Sequence, residues 1–230
     1  MRYVIFLLLS FAVTAGENRT PHRIRVTPDH DNVTGFQNTA EINIYQGATY
    51  ENVFLEWESI DGLTIGAYFN NIPLRVGSGY RQSYVDDSYL GVSKWWGERG
   101  GVRFGLASQL GTQLGDSTSQ NFFAITMAHV QFTPIKNFTV SAGPWWANNA
   151  TTLVGNYTGA TVTLGWKISD DVRIEGNWYS GRTNLSGAVV NAFWSVNPHL
   201  ETYIGIQVPA TNSGNEFAGI MGFSTHLIEE

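Results

Sequence analysis

The chain has 230 residues, no cysteine, and 13 basic against 19 acidic side chains, which excludes a disulfide framework, a thiol nucleophile, a Cys-ligated metal and lipid attachment at a processed cysteine. Its basic residues form no run that could neutralise a phosphate backbone, so nucleic acid is excluded as a partner. Charged residues make up only 14% of it, against about 25% in an ordinary soluble domain.

Met1-Arg2-Tyr3 is followed by an apolar run from Val4 to Val13 that closes on Val13-Thr14-Ala15, the layout of a secretory signal peptide over residues 1–15. The run is far shorter than the roughly 20 residues of a spanning helix. Cleavage after Ala15 removes Arg2 and leaves a net charge of 12 − 19 = −7. Residues 16–38 form a polar segment with Arg19, His22, Arg23, Arg25 and Asp29-His30-Asp31. A His between two carboxylates without a second cluster is not read as a metal site. The segment reads instead as a tail before the folded domain or a plug inside it.

From Thr39 the chain breaks into segments of period-two alternation, rich in β-branched and aromatic residues and separated by Gly, Asn, Asp and Pro. This pattern predicts strands. They fall near 39–46, 52–59, 63–70, 89–96, 101–109, 121–132, 137–146, 159–168, 171–180, 187–196, 200–208 and 217–227, twelve in all. Ten remain if 39–46 and 89–96 are unpaired. Tight connections, such as Ile60-Asp61-Gly62, Gly97-Glu98-Arg99-Gly100, Pro134-Ile135-Lys136, Ser169-Asp170 and Asn197-Pro198-His199, follow every even strand. The connections after odd strands, 71–88, 110–120, 147–158, 181–186 and 209–216, are mostly longer; only 47–51, the first, is short. One end of the domain is therefore trimmed and the other carries the long loops.

Side-chain parity divides most strands into two faces. Val53, Leu55 and Trp57 oppose Phe54, Glu56 and Glu58; Ala160, Val162, Leu164, Trp166 and Ile168 oppose Thr161, Thr163, Gly165 and Lys167. Val172, Ile174 and Trp178 oppose Arg173, Glu175, Asn177 and Tyr179, and Leu200, Thr202, Ile204, Ile206 and Val208 oppose Glu201, Tyr203, Gly205 and Gln207. The segment 89–96 puts Lys94 in register with Leu90 and Val92, and 121–132 is apolar on both parities. Trp57, Trp95, Trp96, Trp166 and Trp194 lie at turn-side strand ends, and Trp145, Trp146 and Trp178 at loop-side ends, as two aromatic girdles at a lipid–water interface would require. The fold class read from these features is all-β: an antiparallel transmembrane β-barrel of about twelve strands over residues 39–230. A secreted soluble β-sandwich is the alternative, since alternation alone does not separate the two.

The signal segment, the alternating strands and the closing stretch Glu216-Phe217-Ala218-Gly219-Ile220-Met221-Gly222-Phe223-Ser224-Thr225-His226-Leu227 resemble Gram-negative outer-membrane β-barrel proteins. The resemblance implies a lipid-bilayer partner, short periplasmic turns and longer external loops. The family's usual terminal aromatic is missing, because Leu227 is followed by Ile228-Glu229-Glu230.

Within that architecture Glu56, Glu58, Arg103, Lys167, Arg173, Glu175 and Glu201 are expected on the lumen face, where charges are cheaper than against lipid. They read either as a charge-selective constriction or as a structural ion-pair network filling a narrow barrel. The loop 71–88, with Arg75, Tyr80, Arg81, Tyr84, Asp86 and Asp87, either folds inward as a constriction or outward as a surface loop. Outer-membrane phospholipases, lipid A modifying enzymes and omptin-type proteases carry His with Ser or Asp near the external rim. Here His129 and His226 are near turn-side strand ends, His199 is in a turn, and His22 and His30 precede the barrel. No catalytic site, cofactor or metal is read; Asp86 and Asp87 are the only acidic pair in an external loop. Six Asn-x-Ser/Thr sequons, at Asn18, Asn32, Asn137, Asn149, Asn156 and Asn184, are what chance supplies in a chain so rich in these residues.

The expected function is a narrow passive channel for small polar solutes or ions, monomeric or weakly associating. Similarity of size and strand number to nucleoside channels and small oligosaccharide porins suggests it. The acidic-sugar porins have strongly basic lumens and this one does not, so an anionic solute is not favoured. A closed structural or interaction barrel is the alternative.

Overall fold

A computed structural model describes residues 35–45, 48–59, 62–76, 87–99, 101–113, 122–152, 157–183, 185–211, 213 and 216–228. Twelve antiparallel strands run in chain order: β1 (Gly35–Ile44), β2 (Ala48–Glu58), β3 (Leu63–Val76), β4 (Asp87–Arg99), β5 (Val102–Gln113), β6 (Phe122–Ile135), β7 (Phe138–Ala147), β8 (Thr158–Lys167), β9 (Val172–Tyr179), β10 (Gly187–Asn197), β11 (Leu200–Pro209) and β12 (Ala218–Ile228). Each pairs with its sequence neighbours, and β1 pairs with β12 from Gly35–Ile228 to Ile44–Gly219, so the sheet closes on itself. Closure removes the edges that an open sheet would present.

The residues on the two faces rule out a soluble sandwich. Inside, the buried residues include Thr39, Glu41, Asn43, Glu56, Gln109, Gln131, Glu175 and Glu201. Outside, Leu90 is 72%, Ile204 67% and Trp194 60% exposed, with Phe104, Leu106, Leu164, Ile206 and Phe223 in the same band. A water-soluble protein does not present such a belt of large apolar side chains around a polar interior. Lipid does suit that exterior, and a closed barrel satisfies its backbone without water.

The strands extend beyond several of the boundaries expected from sequence. β1 begins at Gly35, so Gly35–Asn38 belong to the barrel and not to the segment before it. β4 and β6 continue past Gly97 and Pro134 through shifts in register, between Trp96 and Arg99 and between Phe132 and Ile135. The turns after them are correspondingly tighter, with Gly101 and Asn137 at φ 77° and 71°. Both residue types tolerate that left-handed backbone. At the opposite end β3 and β4 take up residues 71–76 and 87–88 of the loop expected at 71–88.

Two tryptophans correct the girdle reading. Adjacent residues of a strand point to opposite faces, so the pairs Trp95-Trp96 and Trp145-Trp146 cannot both lie against lipid. Trp96 and Trp146 do face outward, 48% and 47% exposed. Trp145 turns inward and is 1% exposed, while Trp95 packs beside the His129 ring and under the Arg103 guanidinium. Glycine makes the room: a Cβ at Gly105 would lie 2.7 Å from the Trp95 ring, and one at Gly159 2.6 Å from the Trp145 ring. In single-tryptophan variants placed in vesicles of brominated lipid, fluorescence from Trp96, Trp146, Trp166, Trp178 and Trp194 is expected to be strongly quenched. Trp95 and Trp145 should stay bright, and equal quenching of all seven would contradict the inward assignment.

Candidate functional site: the barrel lumen

At the turn end, Arg173 is the second residue of β9 and Glu201 the second of β11. Its guanidinium donates from Nη1 and Nη2 to the two Glu201 carboxylate oxygens, at 2.8 and 2.9 Å, and from Nε to Glu175 Oε1 at 3.0 Å. It also lies over the Phe193 ring, 4.0 Å from its centre. Both carboxylates are buried, and the fork-to-fork geometry is the one in which a buried pair can offset its desolvation.

A second polar centre surrounds Glu41 of β1, which is 2% exposed. Its carboxylate accepts from Asn43 and Asn52 side-chain amides at 3.2 and 3.1 Å and from the Tyr203 hydroxyl at 3.0 Å. Glu56 accepts from the Tyr68 hydroxyl at 2.8 Å, and the Thr39 and Ser224 hydroxyls meet at 2.7 Å across the β1–β12 closure. Sequence reading did not single out Glu41; its signal was the alternation Thr39, Glu41, Asn43 against Ala40, Ile42, Ile44.

The lumen also holds apolar groups. Phe54, Tyr68, Tyr89 and Phe123 form one inward cluster. Ala107, Ile125, Met127, Trp145 and Ala147 form another, closed from above by Leu185 of the β9–β10 connection. The connection folds onto this wall, with Thr183 and Leu185 buried and tied by hydrogen bonds to Ser186 and to each other. Beside it, the helix α1 (Asn149–Thr152) packs against β6, where the Thr151 hydroxyl bonds the Ala124 backbone. These facts resolve β6: its apolar residues on both faces are Phe123, Ile125 and Met127 inside and Val130 and Phe132 outside.

The other residues expected in the lumen are placed as follows. Arg103 lies 5.7 Å from the Trp95 ring centre, and Lys167 pairs with Asp170 at 3.4 Å at the mouth. Glu58 ends β2 on the inward parity. Tyr80, Arg81, Tyr84 and Asp86 lie outside the described residues, as do the side chains of Arg75 and Asp87. Among the described residues, the connection after β9 places Thr183, Leu185 and Ser186 inward; the fold of the remainder of the loop expected at 71–88 lies outside the described residues.

His129 Nδ1 and Ser141 Oγ lie 2.9 Å apart, a pairing that sequence reading missed. A nucleophile–base pair needs a third group to orient the base, and the remaining ring nitrogen, Nε2, has no hydrogen-bond partner. His199 bonds the His226 carbonyl in the turn region. Among the described residues no three His, Asp or Glu side chains gather in a way that would hold a metal ion.

A cavity of about 700 Å3 opens at the turn end, lined by Lys136, Thr139, Gly165, Lys167, Asp171, Arg173, Glu175, Glu201 and His226 among others. Above it, at mid-height, the inward side chains of β1, β6, β8 and β11 are almost all buried. The interior is therefore a polar vestibule leading to a waist of buried side chains.

No protein-family model and no curated protein matches this chain. Solved structures do. The KdgM porin, in complex with disordered oligogalacturonate, superposes with a TM-score of 0.61 at 9% identity, over 83% of this chain and 99% of that one. The COG4313 outer membrane channel from Pseudomonas putida F1 gives 0.54 at 11% identity, over 87% and 100%. Outer membrane phospholipase A from Escherichia coli gives 0.51 at 10% identity, over 87% and 95%. At such identities the likeness is one of fold, and the fold of this chain is that of the outer-membrane β-barrels.

Proposed function

We propose that the chain is a bacterial outer-membrane protein acting as a narrow passive channel for small polar solutes, with its turn end in the periplasm. One observation carries this reading: a closed barrel, apolar outside and polar inside, widens at one end into a vestibule lined by side chains of both charge signs. A barrel with twelve strands sits between eight-strand barrels filled by side chains and the open channels of sixteen or more. The two most similar folds reported above are named as a porin and a channel, which supports transport over catalysis.

The buried waist supports a second reading, a closed barrel with a structural or interaction role. Conductance separates the two. The refolded protein in a planar bilayer is expected to give small, stable, ohmic steps with weak ion selectivity. Silence from protein shown to be inserted would leave the closed barrel.

The Arg173 cluster reads as scaffold in either case, because its charges are committed to one another. Arg173→Ala strands two buried carboxylates, and it is expected to cost about 3–5 kcal/mol in urea unfolding. Adding Glu175→Gln and Glu201→Gln should restore most of the loss. A selectivity filter would behave otherwise, with reversed ion preference and unchanged stability.

A further inference from the structure

The polar groups of the lumen fall into two kinds. On β1, β2, β9 and β11 the carboxylates and their partners are bonded to one another. Among the described residues, buried atoms with no hydrogen-bond partner occur singly on β10 and β11, at Asn191 Oδ1 and Gln207 Nε2, and gather on β6, β7 and β8: Nε2 and Oε1 of Gln131, Nε2 of His129, Oγ1 of Thr161 and Nε1 of Trp145. All four side chains are at most 3% exposed. Unpaired buried polar atoms are costly and call for an occupant.

These atoms lie at successive heights along the strands. Inward positions of the sheet form rungs across neighbouring strands, and Gln131 pairs with Ser141, which pairs with Thr163. One rung further from the turns, Thr161 lies opposite Gly143, whose backbone packs against His129. On the next rung Trp145 lies between Met127 and Gly159. Three successive rungs thus each carry an unpaired group, over about 13 Å at two residues per rung. The rung below, Thr139–Gly165–Glu175, lines the vestibule. At the upper end stands the apolar cluster under Leu185.

No charged side chain sits on these three rungs of β6–β8. Gln131 offers both a donor and an acceptor, Trp145 a donor, and Thr161 and His129 either role. The complement of such a lane is an uncharged group that donates and accepts at once, which is a hydroxyl. We infer that uncharged polyhydroxylated solutes pass along β6–β8, exchanging hydrogen bonds with Gln131, His129, Thr161 and Trp145, while the charged clusters on β1, β2, β9 and β11 serve as scaffold. The inference rests on the channel reading and adds to it a solute class and the residues that select it.

The test compares osmotic swelling of proteoliposomes in erythritol with salt conductance, for the wild type and for Gln131→Leu/Thr161→Val. Erythritol uptake is expected to fall about fivefold, the factor set by roughly one net hydrogen bond, while salt conductance is kept and the unfolding midpoint is kept or raised. Wild-type swelling that the substitutions leave unchanged would overturn the lane alone. An equal fall in erythritol uptake and salt conductance would show that the four groups hold water only, which also overturns it. No swelling by inserted wild type would sink the channel reading itself. If the double variant does not fold, the isosteric Thr161→Val carries the same comparison.

Discussion

Hydrogen bonding of the backbone in a medium without water is the constraint on which the rest of the structure depends. In lipid each unpaired amide or carbonyl is costly, so a chain of strands must close. The closure is made by β1 and β12, ten residue pairs from Gly35–Ile228 to Ile44–Gly219. Once it is made, the period of two in every strand assigns one parity to lipid and the other to a confined interior. Lipid then demands Leu, Ile, Phe and Trp outside. Much of the interior is filled with polar groups that satisfy one another and with aromatic rings.

That filling is done in two chemical styles. Charges are gathered where they can be enclosed by partners, as Arg173 is by Glu175 and Glu201, and Glu41 by two amides and a tyrosine hydroxyl. Aromatic rings fill the remaining width, resting on inward glycines that leave space for them, Trp95 on Gly105 and Trp145 on Gly159. The neutral wall of β6–β8 is satisfied only in part: His129 meets Ser141 and Thr163 donates to Asn177, while Gln131, Thr161, the Trp145 indole and the second ring nitrogen of His129 are buried without a partner. An interior built only to stabilise the barrel gains nothing from such groups, and under the proposed transport role they are the groups a solute would meet.

Much of the fold was legible because it follows from local alternation. The faces of β8, β9 and β11 come directly from their parity, and the alternation of short and long connections gives the strand number and the two ends. What lies across the lumen was not legible. Period two states that Glu41 shares a face with Thr39 and Asn43, but not that Tyr203, distant in sequence, donates to it. Where both parities are apolar, as in β6, the pattern cannot say which side is inside. Trp145 was read as an interface residue because position along a strand was weighed without the parity imposed by Trp146. The inward placement of Thr183, Leu185 and Ser186 had a small signal, a single leucine, Leu185, in an otherwise polar connection. For the candidate site, the charged residues could be found by parity, whereas the unpaired groups emerge only when their neighbours are known.

Closure of β1 on β12 is the claim that bears most weight, and the absence of native cysteine makes it directly measurable. The Thr39 and Ser224 hydroxyls meet at 2.7 Å across that closure. In a Thr39→Cys/Ser224→Cys protein folded into lipid, mild oxidation is predicted to form a disulfide within one chain, at high yield and independent of protein concentration. Free thiols that remain reactive, or disulfides formed only between chains, would contradict a closed barrel and the division into lipid and lumen faces that follows from it.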